Sequence, residues 1–333
     1  MTTRDRYAAY ADRIQAVSPS YAAWARSLDD DLVALLDSVP EQRRQPELVF
    51  AVARRMGADP ADPHALRALA REARPALAAR LASATVQAND PRRLAPVVPL
   101  FAALAASSSE PIGLVDAGAA AGLCSIPDRV TLDYTVVDRG GERVRMHTPT
   151  AEGSLLHLVA DARGAVPAPA VRPIAVAARV ALDPNPIDLG EPGAFDRLVE
   201  AVPPEATDRT ALMRAAASAA LAVPPVRLRG SLPGDLDRAL DHLPDGCEPV
   251  VLTTGTLVYV PGADRQRVVD RLAERGVRWV ALERTGILEG VAATLPADVD
   301  RSDPDAFATV SLDGVAVAVS DAFGTRIRWL RDL

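Results

Sequence analysis

The sequence predicts an α/β protein: a mostly parallel sheet that ends in a C-terminal antiparallel hairpin and is preceded by a helical N-terminal domain. Three observations predict it. From Asp5 to about Ala106, apolar residues recur at three- and four-residue spacing. From Ile112, short apolar runs alternate with helical runs, the pattern of a parallel sheet with crossover helices. Near the end, Asp313-Gly314 separates two alternating apolar runs, Phe307–Leu312 and Val315–Val319, which is the strongest short-range hairpin signal. The domains are read as 1–108 and 109–333, with an inserted segment around 130–170.

In the N-terminal part, Leu28-Leu32-Leu35-Leu36 and Leu48-Val49-Val52-Met56 carry the helical period. Pro19, Pro40, Pro46, Gly57, Pro60, Pro75 and Pro91 punctuate it, giving roughly five to seven short helices. Ser107-Ser108-Ser109-Glu110-Pro111 reads as the link into the second domain. Strand one is Ile112–Val115, with a helix following near Gly118–Asp128. Leu132–Val137 and Gly153–Val159 form a β-excursion with Gly140-Gly141 at a turn. Ile174–Leu182 is the second main strand and ends on Asp183-Pro184. A helix over Thr210–Ala222, a strand at Val226–Leu228 and a helix over Asp235–His242 come next. Pro249–Thr253 is a strand, Asp264–Arg275 a helix, and Val277–Leu282 a strand ending on Glu283.

Composition excludes several classes of chemistry. All 37 basic residues are Arg, so no Schiff-base, P-loop or general-base lysine exists. The net charge of −7 comes without a basic run, which argues against a nucleic-acid surface. Two distant cysteines, Cys124 and Cys247, and four histidines in no ligand spacing argue against a disulfide scaffold or a metal site, and fit a reducing, cytoplasmic compartment. No signal-peptide pattern opens the chain. Its longest apolar stretch, Pro96 to Ala106, is too short to span a bilayer.

The stretch that organises the second domain is Gly113-Leu114-Val115-Asp116-Ala117-Gly118-Ala119-Ala120-Ala121-Gly122. A buried strand stops at an acid and turns through small residues. Backbone N–H groups there can come close to a ligand at the carboxyl end of the sheet. An ordinary strand-to-helix turn of another α/β protein has the same composition. A dinucleotide fingerprint needs a glycine where Ala120 stands, and the terminal hairpin also disfavours a dehydrogenase sheet. The expectation is a Rossmann-like class I methyltransferase sheet with S-adenosylmethionine (SAM) as cofactor. Asp116, Gly118, Ala119 and Gly122 would form the cofactor turn. Asp183 would hold the ribose diol, or simply cap the turn before Pro184. Ser231 and Leu232 would flank adenine, and Thr253 would face the transferred methyl. Positioning alone can drive methyl transfer from SAM; Thr254 and Tyr259 are the candidates for an acid–base role, with packing as the alternative for each. Gln87, Asn89 and Arg93 are candidate substrate contacts, or else a solvated helix end.

Taken together these motifs resemble an uncharacterised bacterial family, domain-of-unknown-function family 2332, which is described as methyltransferase-like. The resemblance runs from about Pro46 to the C-terminus. It rests on Gln87-Ala88-Asn89-Asp90 with Arg93, on Val115 to Leu123, on Asp128-Arg129 with Tyr134, on Arg179 to Asp183 with Pro186 and Asp188, and on Leu257-Val258-Tyr259-Val260-Pro261. The family pattern has other residues at Ala88, Asp90, Cys124, Ala181, Gly230-Ser231 and Thr253-Thr254. The resemblance implies a SAM-dependent methyltransferase acting on a small-molecule or protein acceptor. The alternatives are a catalytically silent relative that binds a partner and, third, a dinucleotide-dependent oxidoreductase.

Overall fold

A computed structural model of the chain describes residues 2–84, 89–150, 153 and 155–333. The chain divides into two compact units, Met1–Ala88 with Pro192–Leu212, and Asn89–Glu191 with Met213–Leu333.

The first unit is helical: α1 (Thr3–Ile14), α2 (Pro19–Arg26), α3 (Asp30–Asp37), α4 (Pro46–Arg55), α5 (Ala65–Glu72) and α6 (Arg74–Ser83). Local chemistry sets its boundaries. Thr2, Ser18 and Asp29 cap the first three helices through side-chain oxygens that accept a backbone N–H. Pro19 and Pro46 stand in the first turns of α2 and α4, where no N–H is needed. Phe50 of α4 centres the core and meets Tyr7, Tyr10, Tyr21 and Trp24 edge-on, with ring centroids 4.9 to 5.9 Å away. The segment 192–212 returns to this unit, which the sequence pattern did not show. The Arg54 guanidinium donates to the carbonyls of Glu200 and Val202, both at 2.9 Å, and Glu205 accepts from Ser18 Oγ at 2.6 Å.

In the second unit α7 (Leu94–Ser107) leads into β1 (Ile112–Ala117), β2 (Val130–Val136), β3 (Glu142–His147), β4 (Leu156–Gly164) and β5 (Val176–Asp183). After α8 (Ala194–Val199), which belongs to the first unit, come α9 (Thr207–Ala222), β6 (Val226–Arg229), α10 (Leu236–Leu240), β7 (Glu248–Thr254), α11 (Gly262–Arg275), β8 (Arg278–Arg284) and α12 (Glu289–Ala292). The chain ends with β9 (Ala308–Leu312), β10 (Val315–Ser320) and β11 (Arg326–Trp329).

Among the described residues one sheet holds all eleven strands, in the order β3-β2-β4-β11-β10-β9-β8-β7-β1-β5-β6. The block β8-β7-β1-β5-β6 is parallel throughout. Its carboxyl ends bring Ala117, Asp183, Thr254 and Glu283 to one edge. The β9–β10 hairpin forms as expected: Asp313 and Gly314 have φ of +50° and +81°, the two positive values a type I′ turn requires.

Three expectations are corrected. The helix α7, expected to close the helical domain, packs in the second unit against β8, β2 and β9. Ten of its fourteen residues are buried, and a helix apolar on nearly every side must be covered on nearly every side. The β-excursion is not a separate insert: β4 pairs with β11, a strand the pattern missed, and so extends the main sheet. Most consequential, no helix follows β1. Gly118, Ala120 and Gly122 have φ of +84°, +49° and +76°, and each left-handed residue stops a helix.

Candidate functional site

The expected site lies at the carboxyl ends of β1, β5 and β7. Asp116 is 1 % exposed. One of its oxygens, Oδ2, accepts from Ser125 Oγ at 2.7 Å; the other, Oδ1, is buried without a partner among the described residues. Burial pushes this carboxyl up to about 7, the Ser125 bond pulling it down and the nearby Asp183 charge adding to the rise.

The turn after β1 is folded onto the tip of β5. Gly118 N–H and Ala119 N–H donate to the Leu182 carbonyl at 2.7 and 3.3 Å, and Gly122 N–H donates to the Ala119 carbonyl at 2.7 Å. Ala120 N–H donates to Asp183 Oδ2 at 2.8 Å. The other oxygen of Asp183 accepts Asn185 N–H at 2.7 Å, and the residue is 7 % exposed. Backbone donors expected to face a ligand are therefore spent inside the protein, and Ala119, Ala120 and Ala121 are buried.

Thr256, which the sequence reading did not single out, completes the closure. Its Oγ1 donates to the Ala117 carbonyl at 2.8 Å. A Cβ placed on Gly118 would lie 2.1 Å from Thr256 Oγ1 and 2.5 Å from its Cγ2. The space that glycine leaves open is thus filled by a side chain. Thr256 is itself held from β8: Glu283 accepts Thr256 N–H at 3.0 Å and Leu257 N–H at 3.1 Å, one on each oxygen. Burial pushes Glu283 up to about 7 against the pull of those two bonds. Beside Glu283, Thr309, Ser311 and Leu288 help to line a cavity of about 10 Å³, room for about one water molecule.

The other expected residues are placed as follows. Thr253 is buried and its Oγ1 accepts from Trp279 Nε1 at 3.2 Å. Thr254 is buried, and its carbonyl accepts from the Arg93 guanidinium at 2.8 Å. Asn89 Oδ1 accepts Leu123 N–H at 2.8 Å. In these contacts Arg93 braces the end of β7 and Asn89 braces the loop after β1. Ser231 is exposed, its N–H bonded to Asp235 Oδ2 at 2.9 Å, while Leu232 packs against the apolar core around β1. Tyr259 is 78 % exposed, so it does not share the buried setting of Thr254. Gln87 lies outside the described residues.

Among the described residues no group of three His, Cys, Asp or Glu is placed to hold a metal, and no helix is long and apolar enough to cross a membrane. Burial pushes the Cys124 thiol up to about 12, which keeps it protonated and a poor nucleophile at neutral pH. The chemistry on offer is two buried carboxyls, Asp116 and Glu283, poised near neutrality. SAM needs open space over the glycine turn, and Thr256 occupies that space, so the residues in this arrangement do not fit the cofactor.

The chain belongs to the bacterial family described as "uncharacterized protein conserved in bacteria (DUF2332)", whose model matches residues 4–329. No curated protein and no solved structure matches it.

Proposed function

We propose that this DUF2332 protein is a catalytically silent, methyltransferase-like protein with a binding role, acting without SAM turnover. The likeness is supported by the parallel block: in chain order its strands lie 3-2-1-4-5, the order of the first five strands of a doubly wound sheet, with acids at the carboxyl ends of the first two. The missing helix after β1, and β9 running antiparallel beside β8, set it apart from a simple parallel sheet. One observation carries the silent reading: Thr256 fills the space over Gly118 that a cofactor would need. Fold likeness alone licenses no reaction.

A second reading, a SAM-dependent methyltransferase with a small-molecule or protein acceptor, draws support from the buried Oδ1 of Asp116, which has no partner among the described residues and lies at the expected cofactor turn. Calorimetric titration of the full chain with SAM and with its demethylated product separates the two. The silent reading expects no heat at millimolar ligand from folded protein. Micromolar binding that is lost in Asp183→Ala would overturn the closed turn and support a working cofactor site, to be followed by an acceptor screen.

A further inference from the structure

β4 alternates strictly: Leu156, Leu158, Ala160 and Ala162 are buried, and the residues between them are exposed. β11 alternates in step, with Ile327 and Trp329 buried and Arg326 and Arg328 on the other face. The parallel register sets Asp161 beside Arg326 and Arg163 beside Arg328. These four side chains form a two-by-two array on one face of the sheet. Two turns wall it in. The 3₁₀ turn Val137–Arg139 is tied to the end of β4, where Asp138 Oδ2 accepts Gly164 N–H at 2.6 Å. The 3₁₀ turn Pro304–Ala306 is tied to β11, where Asp305 Oδ1 accepts from Arg326 Nε at 2.6 Å. The array, Val137 and Asp305 line a cavity of about 100 Å³, room for several water molecules and so for one small solute.

The charges in this cavity are not all used. Arg326 is held by Asp305, with Asp161 acting on it only as a more distant charge. Arg328 is paired with Asp298, which is not part of the lining. Arg163 and Asp161 are exposed, and their side chains make no hydrogen bond or ion pair with the described residues. The cavity thus keeps one guanidinium and one carboxylate without a partner among the described residues. They stand two residues apart on one strand, roughly 7 Å between Cα atoms, with room for a small group between them.

We propose that this cavity is a binding site for a small zwitterion of the α-amino acid class, its carboxylate held by Arg163, its ammonium by Asp161, and a short aliphatic side chain against Val137. The charge balance selects the class. A simple anion would face the Asp161 carboxylate, and a simple cation would face three guanidiniums. A molecule that carries both signs on neighbouring atoms gains a charge-assisted bond at each end and adds no net charge. The site shares no residue with the turn after β1, so a failure here leaves the closed turn standing, and the reverse.

Calorimetric titration of the full chain at low salt tests it, with L-alanine, propionate and ethylamine as probes. The last two each lack one of the two charged groups. The wild type is expected to bind L-alanine about tenfold or more tighter than either. Arg163→Ala is expected to weaken L-alanine by about tenfold or more. Asp161→Asn is expected to abolish the preference for L-alanine over propionate. Arg143→Ala, which removes an exposed arginine of β3 that does not line the cavity, is expected to bind as the wild type does. No heat from the wild type with L-alanine at millimolar concentration would overturn the site. Equal binding of propionate and L-alanine by the wild type would overturn the zwitterion assignment, and this comparison needs no variant to fold. A loss in Arg143→Ala as large as that in Arg163→Ala would show general charge attraction and overturn the site as well.

Discussion

Replacing Gly118 by alanine should be among the most damaging single-methyl additions in the second unit. Two costs combine. At φ of +84° an L-residue is strained by about 1–2 kcal/mol. The added Cβ would also lie 2.1, 2.5 and 2.8 Å from three atoms of Thr256, and forcing that overlap apart costs about 1–3 kcal/mol. Thr256 cannot simply turn away without giving up its hydroxyl bond to Ala117. The expected loss is about 2–5 kcal/mol, against a total stability on the order of 5–15 kcal/mol for a folded protein. Because the chain has two units, a single whole-protein transition is a poor readout. Urea unfolding followed by hydrogen exchange of peptides covering β1 and β7 tracks the second unit alone. In a Thr256→Gly background the overlap is gone and only the φ cost, about 1–2 kcal/mol, should remain. A loss below about 1 kcal/mol in the wild-type background, or the same loss in both, would refute the close contact on which the closed turn depends.

Further outcomes follow from other positions. The folded Asp116 carboxyl holds its proton up to about 7, against an ordinary value of 3.8, so the folded state carries the extra proton between about pH 4 and pH 7 and this group's contribution to stability falls as pH rises through that window. Asp116→Asn removes that slope, so its stability relative to wild type should improve by up to about 4 kcal/mol from pH 4 to above pH 7, read by urea unfolding at stepped pH; a difference independent of pH would contradict the burial argument. Gly57 and Gly164 both have positive φ, but a Cβ on Gly57 meets nothing within 4 Å and one on Gly164 lies 2.3 Å from the Trp329 carbonyl oxygen. Gly57→Ala should cost only the φ strain of about 1–2 kcal/mol and Gly164→Ala clearly more, since backbone cannot swing aside; equal losses in thermal unfolding would count against the β4–β11 register. Phe50→Ala removes the ring that four other aromatics meet and should cost the helical unit about 3–5 kcal/mol, seen as loss of near-ultraviolet dichroism at lower denaturant.

What the sequence made legible was mostly local. The Asp313-Gly314 hairpin could be read because two residues impose its geometry. The parallel strands could be read because strands buried on both faces are short runs of apolar residues, as at Leu114-Val115 and Val250-Val251-Leu252. Where composition and tertiary contacts disagreed, composition misled. Ala119-Ala120-Ala121 has high helix propensity, yet Asp183, sixty-three residues away, captures the Ala120 N–H and holds the residue left-handed. The place of α7 turned on which apolar surface would cover it, and β11 was a four-residue run, Arg-Ile-Arg-Trp, too short to stand out from its Gly324 turn. At the site, Asp116, Asp183 and the glycines could be found from the motif, and Asn89 and Arg93 were found as residues though their contacts are internal braces. Thr256 carried no signal, because what matters about it is only that it lies over Gly118.

The central claim, that the turn after β1 is closed to a cofactor, is tested most directly by residue-resolved hydrogen exchange at Gly118, Ala119, Ala120 and Gly122, with and without millimolar SAM. The account predicts slow exchange at all four amides, each of which donates within the protein, and no change on adding SAM. Rapid exchange at Gly118 and Ala120 in the free protein, or new protection at these positions when SAM is added, would contradict it.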